Sequence, residues 1–254
     1  MYRVLAYLKF LKASKNQHGV HSPFVYNFVT KCIYDKGKHE EYQAIKTYRK
    51  SLLKNNESIS ITDFGSGSKV FKSNIRKVRN IAANSGTPLK KAKLLFRIAK
   101  YFKPRTILEL GASLGIATQA MAINNEVDKI ISVEGCPNTF NFAQGSLANY
   151  KNVELINDQF KTYIPRIKAS DFDLVYFDGH HDKKATIDYF EALLPKANNN
   201  SIFIFDDIYW SSGMTEAWEF IKQHNLVKVT VDTFHFGFVF FRKEQVKEHF
   251  KIRL

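Results

Sequence analysis

Acidic side chains and histidines crowd two short stretches in the second half of this chain. Asp171-Phe172-Asp173-Leu174-Val175-Tyr176-Phe177-Asp178-Gly179-His180-His181 ends a run of apolar residues in an acid and two imidazoles. Ser201-Ile202-Phe203-Ile204-Phe205 ends in Asp206-Asp207. Two chemistries suit these residue types. Asp178, Asp206 and Asp207 could together hold a divalent cation such as Mg²⁺, which takes oxygen ligands and stabilises a deprotonated hydroxyl. In the second, no metal is involved and a histidine takes the proton, because imidazole titrates near neutrality.

A third stretch, Thr106–Gly115 (TILELGASLG), reads as a strand followed by a glycine-bearing loop. Gly111 follows the apolar run and Gly115 opens the next helical stretch. Glycine lets backbone approach a ligand closely, and in open α/β sheets the ligand crevice lies at the carboxyl ends of the strands. The next strand ends in Glu134, about 20 residues on, where a carboxylate can accept from both hydroxyls of a ribose. The loop lacks the middle glycine that makes room for a pyrophosphate, which argues against NAD, and no GxxxxGK[ST] is present. Glu109, two positions before Gly111, would repel phosphate. It suits the ammonium group of an amino-acid ligand, reached directly or through water.

Strands and helices alternate around these stretches. Strands are expected at 106–110, 129–133, 153–157, 174–177 and 201–205, with helices at 114–123, 140–149, 162–168, 184–194 and 214–224. Two final strands, 227–233 and 238–242, have only His235-Phe236-Gly237 between them, too short for a parallel crossover, so they pair antiparallel. The fold class expected is α/β: a mostly parallel seven-stranded sheet of Rossmann-like type with a C-terminal antiparallel hairpin. Residues 1 to about 60 read as helical, with a break at His18-Gly19-Val20-His21-Ser22-Pro23-Phe24. Pro88 to Phe102 reads as a helix with Leu89, Ala92, Leu95, Phe96 and Ala99 inward. The composition shift near Pro104 suggests an N-terminal cap or lid, residues 1–87, ahead of a ligand-binding domain, 88–254. Asp63-Phe64-Gly65-Ser66-Gly67-Ser68 reads as a loop of that cap.

The 254 residues are 44% hydrophobic and include 22 Phe, enough for a sizeable core. The net charge of +14 favours acidic partners: nucleic acid, anionic lipid or an anionic small molecule. From Phe64 to Leu108 there is no Asp or Glu, while Lys69, Lys72, Arg76, Lys93, Arg97, Lys100, Lys103 and Arg105 all fall inside. The two cysteines, Cys32 and Cys136, make no CxxC pair, which fits a reduced, cytoplasmic setting. No apolar run reaches membrane-spanning length. The N-terminus reads as an amphipathic helix with a basic polar face. A homodimer is compatible with all of this.

Glu109-Leu110-Gly111-Ala112-Ser113-Leu114-Gly115 resembles the first motif of the class I S-adenosylmethionine-dependent methyltransferases, E/D-x-G-x-x-x-G after a strand. The resemblance runs from about Thr106 to the C-terminus and includes the final hairpin. It implies that Glu109, Gly111, Ala112, Ser113 and Gly115 hold the methionine moiety, Glu134 the ribose and Asp158 the adenine amino group, with Asp178 also at the cofactor edge. The acidic rim resembles the catechol-type O-methyltransferases, whose metal is held by an Asp after the fourth strand and Asp-Asn after the fifth. Here Asp207 replaces the Asn, and the following Lys is absent. Asp-Gly-His-His also resembles an Asp-Gly-x-His motif of small-molecule methyltransferases, which implies His181 as base, beside His180, and Asp178 as its orienting acid. The expected acceptor is a small molecule, anionic in keeping with the charge. The alternative is RNA or another nucleic acid held by the basic segment 69–105. The Asn/Asp-Pro-Pro-Tyr/Phe motif of base-nitrogen methylation is replaced by Phe-Asp-Gly-His-His.

Overall fold

The computed structural model describes residues 2–62, 64, 73–168 and 172–254. In chain order its first elements are α1 (Tyr2–Ala13), α2 (Pro23–Phe28), α3 (Glu41–Lys54), β1 (Ser58–Ser60), β2 (Ile75–Lys77), α4 (Val78–Asn84) and α5 (Leu89–Phe102). There follow β3 (Thr106–Leu110), α6 (Ile116–Ala122), β4 (Lys129–Glu134), α7 (Pro137–Leu147), β5 (Val153–Asn157) and α8 (Phe160–Tyr163). The chain continues with β6 (Leu174–Phe177), α9 (Lys183–Leu193), β7 (Ile202–Asp206), α10 (Ser212–Gln223), β8 (Val229–Asp232), β9 (Phe236–Phe240) and β10 (Glu248–Lys251). Two compact units emerge, 35–163 and 1–34 with 164–254. The 87/88 division expected from composition falls inside the first of these.

In the unit 35–163, β3, β4 and β5 lie side by side and parallel. Ile107 to Leu110 are buried without alternation, as a strand covered on both faces requires. Helix α5 buries Ala92, Leu95, Phe96 and Ala99 of the face its spacing predicts, with Leu89 only partly buried, and ends at Lys103 in the left-handed conformation just before Pro104. Helices α3 to α6 share one core, which includes Ile45, Leu52, Ile81, Phe96, Ile116 and Ala120. The antiparallel pair β1–β2 was not legible in sequence, since three residues such as Ser-Ile-Ser carry almost no period. Of the Asp63–Ser68 loop only Phe64 is described; Asp63 and Gly65–Ser68 lie outside the described residues, as do Lys69, Lys72 and Asp171.

In the unit formed by 1–34 and 164–254 the strand order is β10-β8-β9-β7-β6. β6 and β7 are parallel, and β9 runs antiparallel to both β7 and β8. The hairpin turn falls at Thr233–His235 rather than His235–Gly237, because Phe236 and Gly237 already pair in β9. Phe234 takes a φ of 70° there, and its N–H donates to Asp232 Oδ1 at 2.8 Å. β10 adds a strand to the seven expected, parallel to β8; with one buried residue, Phe250, it carries little pattern. Ser22 caps α2 with Pro23 in its first turn, so the HSPF stretch is a helix start. Aromatic contacts fix the N-terminal helices: Phe10 against Phe234 at 5.5 Å, Phe24 against Phe240 at 5.0 Å and Phe28 against Phe238 at 5.1 Å between ring centres. Among the described residues no helix is long and apolar enough to cross a membrane.

Candidate active site

The loop after β3 is pinned to the end of β4. Gly111 N and Ala112 N donate to Val133 O at 2.9 and 3.3 Å, and Ser113 N donates to Glu134 Oε2 at 2.8 Å. Glu134 Oε1 accepts from Cys136 N at 2.8 Å. The loop backbone is left-handed at Gly111, Ser113 and Gly115, with φ of 111°, 48° and 74°. Gly115 is also held to glycine by space, since a Cβ would lie 2.8 Å from Leu147 Cδ1. Tyr48 of α3 donates its hydroxyl to Leu114 O at 2.7 Å. Burial pushes that phenol up to about 12, so it remains a donor. Sequence reasoning missed Tyr48, because nothing local ties it to a loop so far along the chain.

Two carboxylates beside this loop, both raised by burial, differ in their partners. Burial raises the Glu134 carboxyl, opposed by the N–H groups of Cys136, Ser113 and Gly135. Each carboxylate oxygen has a second lone pair, so Glu134 keeps capacity for further donors. Glu109 is fully buried. Its Oε2 accepts from Thr118 Oγ1 and Ser132 Oγ, both at 2.5 Å, while Oε1 is buried with no hydrogen-bond partner among the described residues. Burial pushes Glu109 up to about 7, with the two hydroxyls opposing and the Glu134 charge adding. A buried acceptor left unmade costs about 1–3 kcal/mol and calls for a donor. Asp158 Oδ1 accepts from Gln159 N at 2.8 Å and Thr162 Oγ1 at 2.5 Å, which ties it to the first turn of α8.

The acid and histidine rim belongs to the other unit. Asp178 follows β6, and its Oδ2 accepts from the Tyr176 hydroxyl at 3.0 Å. His181 Nε2 stands 3.7 Å from Asp178 Oδ1, and its ring centre is 6.1 Å from that of Trp210. His180 turns its ring edge-on to Tyr189 at 5.5 Å. The backbone is left-handed at His180, His181 and Asp207, with φ of 62°, 43° and 49°. Such conformations cost about 1–3 kcal/mol each in a non-glycine residue and gather at functional sites. Among the described residues, four of the six non-glycine residues with positive φ are these three and Ser113.

Asp206 is buried at the end of β7, and Asp207 lies 3.8 Å from the Arg3 guanidinium. Arg3 also sits 5.0 Å over the Trp210 ring. Neither Arg3 nor Tyr176 was picked out in sequence. Tyr176 is two residues before Asp178 on a strand, so alternation does put both on one face. Among the described residues no three His, Cys, Asp or Glu side chains are grouped to hold a metal ion. The three acids expected as ligands do not assemble: Asp178 turns to Tyr176 and His181, and Asp207 to Arg3. The basic segment gains the counter-charges its sequence lacks, with Lys100 near Glu41 at 3.8 Å, Lys103 on Glu126 at 3.0 Å and Arg105 on Asp128 at 2.9 Å.

Residues 108–208 match a family model described as a methyltransferase domain. The chain carries a methyltransferase domain. The match takes in both the pinned loop and the acid and histidine rim of this methyltransferase. Its fold is similar to that of a methyltransferase from Podospora anserina solved with S-adenosylhomocysteine, at 12% identity and a TM-score of 0.59, over 88% of this chain and 97% of that one. It is similar too to an O-methyltransferase of tomaymycin synthesis from Streptomyces achromogenes, solved with S-adenosylmethionine: 17% identity, TM-score 0.53, 61% and 81% covered. An O-methyltransferase from Bacillus cereus solved with S-adenosylhomocysteine gives 16% identity, a TM-score of 0.52, and 80% and 90% covered. These likenesses show the Rossmann-like α/β fold. No protein in the curated set matches the sequence. Nothing in these matches favours a nucleic-acid acceptor.

Proposed function

We propose that this methyltransferase takes its methyl group from S-adenosylmethionine and transfers it to an oxygen of a small molecule. The observation that carries the reading is the left-handed loop Gly111–Gly115, bonded through Ser113 N to Glu134 Oε2. That bond fixes a carboxylate with spare lone pairs beside the loop, as ribose recognition needs. The orphaned Glu109 Oε1 supplies an acceptor for an ammonium group, directly or through water. Asp158 serves the adenine amino group in this reading. The similar folds solved with S-adenosylmethionine or S-adenosylhomocysteine support it, and two of those proteins are O-methyltransferases.

When bound, S-adenosylmethionine supplies an electrophilic methyl group on a sulfonium. The chain's part is to bind, orient and deprotonate the acceptor. His181 takes the hydroxyl proton, and Asp178 favours the imidazolium that forms. Tyr176 holds Asp178 in place through its hydroxyl. His180 shapes the same left-handed turn. Arg3 over Trp210 favours an acceptor that is aromatic or carries an anionic group. Residues 88–254 form the catalytic domain in this reading, with 1–87 as its helical cap. We route no step through a metal, because Asp178, Asp206 and Asp207 are not gathered as ligands.

Calorimetry with S-adenosylhomocysteine tests the cofactor. The wild type should bind, and Glu134→Ala should bind at least tenfold more weakly, the order expected when a hydrogen bond to a charged group is lost. Equal binding by the two proteins would remove the ribose assignment. Methyl transfer to a panel of hydroxyl acceptors should survive a chelator; a rate abolished by chelation would restore the metal reading.

A further inference from the structure

Helix α1 is apolar on two opposite faces. Ala6 and Phe10 are buried, and Tyr7 and Phe10 pack on Phe234. At 100° per residue, Val4, Leu5, Leu8 and Leu11 fall on the other side. Val4, Leu5 and Leu8 are 64%, 49% and 57% exposed, large values for aliphatic side chains that sit together. A helix that is hydrophobic all round normally has both faces covered. Here, among the described residues, only one face is covered.

The charge pattern says what covers the other. Residues 1–34 contain Arg3, Lys9, Lys12, Lys15 and Lys31 and no Asp or Glu. Lys9 and Lys12 are exposed; at 100° per residue Lys12 falls between Leu8 and Leu5 and Lys9 borders them, while Tyr2 and Tyr7 are half-exposed on the flanks. A second copy of the helix would bring lysines to lysines with no acid in this segment to meet them. An anionic lipid surface accepts both parts at once: leucines at the acyl boundary and lysines among the headgroups. We propose that the outer face of α1 docks this protein on anionic membrane surfaces. The helix lies in the plane of the interface, as its 12 residues are too few to span. This inference is independent of the reading of the methyl acceptor.

Co-sedimentation of the full chain with vesicles tests it, using phosphatidylcholine alone and phosphatidylcholine mixed with phosphatidylglycerol. The wild type should sediment with the mixed vesicles and stay in solution with phosphatidylcholine alone. Leu5→Glu with Leu8→Glu should abolish sedimentation. Both positions are exposed, so the variant should keep the wild-type circular dichroism and melting. Lys9→Gln with Lys12→Gln should weaken it, by roughly fivefold for each lysine near the surface. Absence of wild-type sedimentation with mixed vesicles overturns the proposal, as does equal sedimentation of the Leu5/Leu8 variant. Sedimentation velocity on the same samples gives one more decisive result: a wild-type dimer that the Leu5/Leu8 variant converts to monomer would assign the face to a second copy instead.

Discussion

Replacing Glu109 with glutamine should change how the stability of the ligand-free protein depends on pH. In the folded chain burial holds the Glu109 carboxyl at about 7, against 4.5 for an ordinary glutamate. Between those values the folded state keeps a proton that the unfolded state has released. Stability therefore falls as pH rises through that window, and the loss is complete above about 7. At roughly 1.4 kcal/mol per pH unit the loss amounts to about 3 kcal/mol. Glu134 and Asp232 are also raised and tilt both proteins in the same sense, so the quantity to follow is the wild type minus Glu109→Gln. Urea unfolding at steps from pH 4.5 to just above 7 measures it. The wild type should lose about 3 kcal/mol relative to the variant across the window, and a difference flat to within about 0.5 kcal/mol would refute the argument. An ammonium group at Oε1 favours the ionised carboxylate. Binding of S-adenosylhomocysteine inside the same window should thus release protons from the wild type and not from Glu109→Gln, which calorimetry in buffers of different ionisation enthalpy reads directly.

Gly115→Ala must adopt a left-handed φ and fit a methyl group against Leu147, so it should destabilise by about 2–4 kcal/mol in urea unfolding; a wild-type midpoint would show that the loop yields. His181→Ala should lower kcat by about 10²–10⁴-fold, with unchanged affinity for S-adenosylhomocysteine. Weakened cofactor binding in that variant would instead make His181 part of the cofactor site. Tyr209→Phe takes a 2.6 Å donor from Oδ2 of the buried Asp232 carboxylate, while the Phe234 N–H still donates to Oδ1. Its expected cost is about 1–3 kcal/mol, read by thermal unfolding, and no shift in Tm would mean that solvent replaces the hydroxyl.

Local pattern was sufficient where an element is buried by its own period. The apolar runs at 106–110, 174–177 and 202–205 are strands because they are covered on both faces, and α5 turned its predicted stripe inward. The short connection after β8 forced an antiparallel pair, and the glycine spacing after β3 gave the loop. β1, β2 and β10 stayed invisible because each buries at most one residue and so carries no apolar run.

The sequence by itself determined the order of strands and helices, the glycine loop and the two acid-bearing strand ends, since each is set by neighbours a few residues away. Tertiary structure decided what those residues face. It placed Glu109 in full burial with one oxygen unmatched, gave both oxygens of Glu134 a backbone donor, and brought Tyr48 to the loop. It also set Arg3 beside Asp207 and Trp210, two hundred residues away, where a metal ligand had been expected. Hydrogen bonds and charges act through space, so a partner distant along the chain can redirect an acid whose position its own strand had already fixed.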